Sequence, residues 1–231
     1  MRLILLAILL AGCAPTLRFP GPTRVVGRTP VPSLPLPEGV EPVTPPPPTA
    51  PPRHRPTSLG KRIADAADGY LKRSPPSRFR SDCSGFVCAV LDRVDISFVG
   101  GTQQLYDRAK ELGALHHRKR PAPGDLAFFD NTWDRNKDGR LNDPLTHVGV
   151  VVRVDADSTV EVAHVSSSKG RTILRMNLLH PDVAVADHGE VYNDLLRRRT
   201  RSDPPRTKYL AGQLWRAFAT LDPNDADAWS R

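Results

Sequence analysis

Three side chains in this sequence have the types and settings for nucleophilic acyl chemistry: Cys83, His147 and His164. The thiolate is the reactive form of cysteine, and it needs a base to take up its proton and a third group to orient that base. Cys83 falls at the predicted start of a helix, with Asp82 as a suitable N-cap. The dipole and free N–H groups at a helix start favour a thiolate, so the expectation is a pKa drawn down from ~8.5 toward ~3.5–7.5. Cys88 lies on the same helix, ~7.5 Å farther along the axis and ~140° around it, beyond the ~4.4–6.8 Å Cα separation of a disulfide. The two cysteines are therefore not bridged, and Cys88 reads as core filler.

The histidines sit on two adjacent β-branched runs. His147 opens the run ending at Val154, and His164 lies near the end of the run from Val160 to Val165. If Asp155-Ala156-Asp157-Ser158 is a four-residue hairpin loop, Val154 pairs with Thr159, Gly149 lies opposite His164, and His147 lies opposite Ser166. The two rings then share a face as diagonal neighbours, ~7–8 Å apart at Cα and within ring-to-ring hydrogen-bond reach. Gly149 leaves room between them. A loop of odd length would put the rings on opposite faces, since side chains alternate along a strand.

The elements that must hold these residues follow from periodicity. Ile63, Ala64, Ala67 and Leu71 recur at helical spacing, and Phe86, Val87, Val90, Leu91 and Val94 form a wide apolar helical face after Asp82. A third helix is predicted from Thr102, as cap, to about Leu112, with Gly113 just past its end. The runs Leu126–Phe129, Val148–Val154 and Val160–Val165 then read as antiparallel strands. Helices first and strands afterwards indicate an α+β fold rather than a βαβ series. Tyr209 to Phe218 is read as a closing helix, and residues 222–231 as tail.

Four stretches, taken in order, resemble the successive motifs of NlpC-type cysteine peptidases: Ser81-Asp82-Cys83-Ser84-Gly85-Phe86-Val87, Pro123-Gly124-Asp125-Leu126, Thr146-His147-Val148-Gly149-Val150 and Ala163-His164-Val165-Ser166. The resemblance covers about residues 60–175. It implies a minimal papain-like α+β domain, with N-terminal helices packed on an antiparallel sheet, that hydrolyses peptide bonds in peptidoglycan stems. Residue by residue it makes Cys83 the nucleophile, His147 the base and His164 the polar residue that orients His147. Backbone N–H groups at the helix start, that of Cys83 included, would serve as oxyanion donors. Relatives place a Tyr about a dozen residues before the Cys, followed by a Gly-Gly. Tyr70 is near that distance, but Pro75 to Arg80 replaces the glycines, so Tyr70 is not counted in the site. A related amidase family of similar fold also uses Cys and His, and the Asp-Cys-Ser-Gly-Phe element fits the NlpC type better. Other readings are a papain-like acyltransferase or amidase, and a non-catalytic wall-binding lipoprotein.

Asp134-Arg135-Asn136-Lys137-Asp138-Gly139 resembles the first half of an EF-hand loop, with Asp134, Asn136 and Asp138 at ligand positions. Position 12 is Leu145 rather than Glu. The expectation is that no cofactor is required, with a possible structural calcium at this loop. No His/Asp/Glu cluster has zinc-ligand spacing. The basic run His116 to Arg120 reads as a solvated loop.

The chain begins with Met1-Arg2, an apolar run from Leu3 to Leu10, and Ala11-Gly12-Cys13. Twelve residues are too few to span a bilayer, which takes ~20. Leu10-Ala11-Gly12-Cys13 resembles a bacterial lipoprotein processing box, which implies a signal peptide over 1–12 and a lipidated Cys13. Of the 24 prolines, 15 lie between residues 14 and 57, so 13–57 is read as a lipidated, Pro-rich disordered linker, followed by the catalytic domain over 58–221. The formal net charge of +8 leaves only +4 to residues 58–231 once Arg2 (+1) and residues 14–57 (+3) are subtracted. That bias is too mild for a nucleic-acid footprint. The partners expected are peptidoglycan and, through the lipid, a membrane. The chain is read as a monomer in the cell envelope, at the periplasmic face of the outer membrane where there is one.

Overall fold

A computed structural model describes residues 54–201 and 203–230. The signal peptide, Cys13 and the linker up to residue 53 lie outside the described residues.

Three helices come first, as the periodicity requires. α1 (Ser58–Lys72) starts at Thr57, whose hydroxyl accepts from the Gly60 N–H at 2.9 Å, and it buries Ile63, Ala64 and Ala67. α2 (Cys83–Asp92) starts at Asp82, whose carboxylate accepts from the Gly85 N–H at 2.7 Å. Every residue of α2 from Ser84 to Leu91 is buried. α3 (Thr102–Glu111) is capped by Gly101 rather than by Thr102; the Gln104 Oε1 accepts from the Gly101 N–H at 2.9 Å. Its end turns at Gly113, φ +64°, a left-handed conformation that suits glycine.

The strands are β1 (Leu115–His116), β2 (Leu126–Phe129), β3 (His147–Val154), β4 (Thr159–Ser166), β5 (Gly170–Asn177) and β6 (Trp215–Ala219). They form one antiparallel sheet in the order β1-β6-β2-β3-β4-β5. One face, carrying Leu126, Phe128, Val148, Val150 and Ala163, packs against Phe86, Val87, Val90 and Leu91 of α2 and Ile63 of α1. The other, carrying Phe129, Val151, Val162, Leu174 and Met176, packs under Leu178, Leu196 and Ala211. The fold is therefore α+β and papain-like, with helices and sheet segregated.

Three readings of the C-terminal third are corrected here. Residues 209–218 are not a closing helix: a single turn, α4 (Ala211–Leu214), leads into β6, which lies between β1 and β2. β6 presents two buried faces, so its apolar run carries no period-2 signature by which a strand could be told from a helix. Residues 222–230 are not a tail. A 3₁₀ turn and α5 (Ala226–Trp229) bring Trp229 fully into the helix-side core. The basic run also differs from a solvated loop: the His116 ring meets the buried Asp125 carboxylate at 3.1 Å, and Arg120 is buried and donates to the Asp155 carbonyl at 3.1 Å.

The β3–β4 hairpin reaches the expected register by an unexpected route. Val154 pairs with Val160, not Thr159, which leaves an odd-length connection. A bulge between Val151 and Arg153 then absorbs one residue, so that Val151 pairs with Val162 and Val150 with Ala163. The second shift cancels the first. Continued toward the strand ends, this register brings Gly149 against His164: a Cβ on Gly149 would lie 3.2 Å from the His164 Cβ and 2.5 Å from the Val162 Cγ1.

Candidate active site

The start of α2 is shaped by local contacts that only certain residues permit. A Cβ at Gly85 would lie 2.1 Å from the Arg80 carbonyl oxygen, so the chain can fold back over the first turn only with glycine there. Ser84 donates to the Asp82 carboxylate at 2.8 Å and accepts from the Arg80 guanidinium at 2.6 Å. Arg80 also pairs with Asp82 at 3.2 Å and donates to the Gly100 carbonyl at 3.1 Å. This clamp fixes the loop before α3 beside the helix start, and it brings the Thr102 hydroxyl 4.0 Å from the Cys83 sulfur.

The printed ladder between β3 and β4 begins at Val150 and Ala163, so Val148 lies beyond its end. The Val148 N–H is turned instead toward the Cys83 sulfur, which also faces the Ser84 N–H. The thiol thus sits against the backbone one residue from His147. Even so, burial pushes the Cys83 pKa up; the Val148 N–H, the Thr102 hydroxyl and the Ser84 N–H pull the other way, and the Asp82 carboxylate adds to the rise. The expectation of a lowered thiol pKa is therefore corrected: desolvation outweighs the helix start. Cys88 is buried, with its sulfur 3.7 Å from the Gly100 carbonyl, as a packing residue should be.

The two histidines meet. His147 Nε2 lies 2.8 Å from His164 Nδ1, with the rings edge to face at a centroid distance of 5.0 Å. Both are buried. Burial, and then the neighbouring His164, lowers the His147 pKa to about 3; burial, and then the Lys169 charge, lowers that of His164 to about 4. Both rings are neutral at neutral pH. With Nε2 committed to His164, Nδ1 is the His147 nitrogen left for proton transfer. Among the described residues no hydrogen bond joins Cys83 to His147 in this resting arrangement.

Asp125 of the Pro-Gly-Asp element serves the frame. Its buried carboxylate accepts from the Ala122 N–H at 2.8 Å, and its carbonyl accepts from the Val151 N–H at 2.8 Å, tying the entry of β2 to β3. Thr102, Arg80 and the Val148 N–H were not legible as site groups, because each reaches the sulfur or its helix through a fold-back that leaves no sequence spacing. Tyr70 lies on α1, lining a surface cavity with Arg62, Arg73 and Arg93.

In the acidic loop, Asp134 Oδ2 accepts from the Gly139 N–H at 2.9 Å, Asn136 Oδ1 from the Asp138 N–H at 3.0 Å, and Asp138 Oδ1 from the Arg140 N–H at 2.8 Å. Asp138 Oδ2 is met by the Asn142 amide at 2.9 Å. Only Asp134 Oδ1 is buried without a partner. Leu145, at the place of the bidentate carboxylate, is buried. Among the described residues no group of three or more His, Cys, Asp or Glu is arranged to hold a metal. One spare oxygen suits a cation here; the rest of the loop is satisfied from within.

Comparison with known proteins bears on the same segment. The profile of the CHAP domain family matches residues 74–165, which contain Cys83, His147 and His164. No curated protein matches the chain. A solved structure from Staphylococcus aureus subsp. aureus Mu50, described as similar to a lipoprotein of the NLP/P60 family, aligns at 23% identity and a TM-score of 0.34, covering 56% of this chain. The aligned part spans 39% of that neighbour's length, so this chain accounts for about two fifths of it. The CHAP match takes in α2, β2, β3 and nearly all of β4, and with the Cys–His motifs it shows that the chain carries a cysteine peptidase domain of the NlpC and CHAP type, that of cysteine/histidine-dependent amidohydrolases and peptidases.

Proposed function

We propose that this domain is a cell-wall cysteine peptidase that hydrolyses peptide bonds in the stem peptides of peptidoglycan, with Cys83 as nucleophile, His147 as base and His164 as the residue that orients His147. The observation that carries the reading is the 2.8 Å His147–His164 contact beside a thiol held against the Val148 N–H. Because the thiol is protonated and the imidazole neutral at rest, attack begins with transfer of the Cys83 proton to His147 Nδ1. The sulfur then bonds to the scissile carbonyl carbon, and N–H groups at the start of α2 take the oxyanion; one such donor is typically worth ~10²–10³ in rate. His147 returns the proton to the leaving amine as the C–N bond breaks. Water, deprotonated by the same ring, hydrolyses the thioester and restores the thiol.

A second reading is favoured by the CHAP match, whose family includes amidohydrolases: the same machinery cutting the amide between glycan and stem. The proposal extends to a lipid on Cys13, which would hold a monomer in the envelope, at the periplasmic face of an outer membrane if the cell has one. No described helix is long and apolar enough to cross a membrane. Digestion of purified peptidoglycan by the full chain and by Cys83→Ala, read by mass spectrometry, tests the function. Stem-peptide fragments from the unsubstituted chain alone support the peptidase, intact stems freed from glycan support the amidase, and no product from either chain removes both.

A further inference from the structure

The segment from Leu195 to Lys208 lies over the second face of the sheet and concentrates charge of one sign. Arg198, Arg199, Arg201, Arg206 and Lys208 are all exposed, and among the described residues none of the five has an acidic partner. The segment's one carboxylate, Asp203, is turned inward. It takes the Arg197 guanidinium at 3.0 Å, the Thr200 N–H at 2.8 Å and the Tyr209 hydroxyl at 3.1 Å. Arg197 is itself buried and donates to the Asn131 carbonyl at 2.8 Å, which fixes the base of the segment to the loop that precedes β3. Arg199 lies over the Tyr209 ring at 4.8 Å. The fold thus spends the segment's acid and one arginine on anchoring and leaves five cations outward. At the root of the segment, Leu195 is 62% exposed.

We infer that this segment is a docking surface for an anionic lipid bilayer. Clusters of ~4–8 Lys and Arg are attracted to anionic headgroups, with each residue near the surface strengthening binding about fivefold. An exposed Leu among the cations favours an interface with an apolar layer beneath the charge over a purely polar polyanion such as a nucleic acid. Contact here would hold the domain against the membrane by an attachment separate from any lipid on the N-terminal segment, and through Arg197 it would set the loop before His147 at a defined side of that surface.

The test is co-sedimentation of the full chain carrying Cys13→Ser, which removes any lipid, with phosphatidylcholine vesicles made with and without phosphatidylglycerol. The expected result is pelleting with the anionic vesicles only, weakening as salt is raised. A chain carrying R198Q, R199Q, R201Q, R206Q and K208Q in addition should lose at least tenfold in partitioning while its thermal unfolding is unchanged, because all five side chains are exposed. Equal pelleting with neutral vesicles, an unaffected quintuple variant, or tighter binding to duplex DNA than to the anionic vesicles would overturn the assignment.

Discussion

His147 Nε2 lies 2.8 Å from His164 Nδ1, and the register that joins them is produced by a bulge that cancels an odd hairpin connection. The contact fixes which nitrogen of His147 is free to serve Cys83. His164→Ala should therefore lower turnover more than it changes substrate binding, leaving KM near its original value. His147→Ala should cost the ~10²–10⁴ that general base catalysis supplies, with His164→Ala losing less. Steady-state kinetics on a soluble stem peptide checks this, and a His164→Gln variant that recovers part of the loss would separate orientation from simple packing.

The raised thiol and the two neutral rings describe a resting pair without charge separation. Alkylation of Cys83 by iodoacetamide should be slow at neutral pH and should climb through the alkaline range, above the point where an ordinary thiol ionises. A thiolate–imidazolium pair would give the opposite profile, fast and flat down to mildly acidic pH. Mass-resolved alkylation rates across pH distinguish the two, with Cys88 as the buried internal reference.

The same burial makes the domain sensitive to acid. A histidine has a pKa of about 6.5 in the unfolded chain, whereas the folded values are about 3 for His147 and about 4 for His164. The unfolded state therefore binds more protons between these limits, so the stability present above about pH 6.5 is lost as pH falls through 4 and then 3. Urea unfolding midpoints should drop on that side, and a chain with both histidines changed to Asn should show a shallower slope over the same window.

The parts of this fold that were legible are those whose signals are local. Asp82 as a cap, the apolar face of α2 and the runs of β2, β3 and β4 are each set by residues within a few positions of one another. The shared face of the histidines was reached from a hairpin loop whose details differ: Val154 pairs with Val160, and the bulge at Val151–Arg153 restores the pairing. What the sequence hid was decided by distant contacts. β6 lies between β1 and β2, far from either in sequence, and burial on both faces removes its alternation. The thiol pKa was misjudged because a helix start is visible in a sequence and the depth of its burial is not.

The acidic loop yields a graded expectation for calcium, which we retain as a proposal. Asp134 Oδ1 is the buried oxygen without a partner, while the remaining side-chain oxygens of Asp134, Asn136 and Asp138 already accept backbone or amide N–H groups. With Leu145 where a bidentate carboxylate would stand, affinity should be weak, on the order of the ~10⁻⁴–10⁻³ M range. A small rise in unfolding temperature at millimolar calcium, absent with magnesium and abolished by Asp134→Asn, is the expected outcome. Calorimetry showing no calcium heat and no shift would remove the metal.

Trp229 tests the C-terminal correction most directly. Its side chain is fully buried in the cluster with Phe86, Leu91 and Leu105, and the Ser230 hydroxyl behind it accepts from the Ser97 N–H at 3.2 Å. These contacts pin the chain end to the segment between α2 and α3, the same segment whose Gly100 is held by Arg80 beside Cys83. Replacing so large a buried side chain by Ala typically costs ~3–5 kcal/mol, a sizeable share of a domain's stability. Trp229→Ala should lower the urea midpoint accordingly, and removal of residues 222–231 should lower it at least as far. A dispensable tail would leave both midpoints where they were.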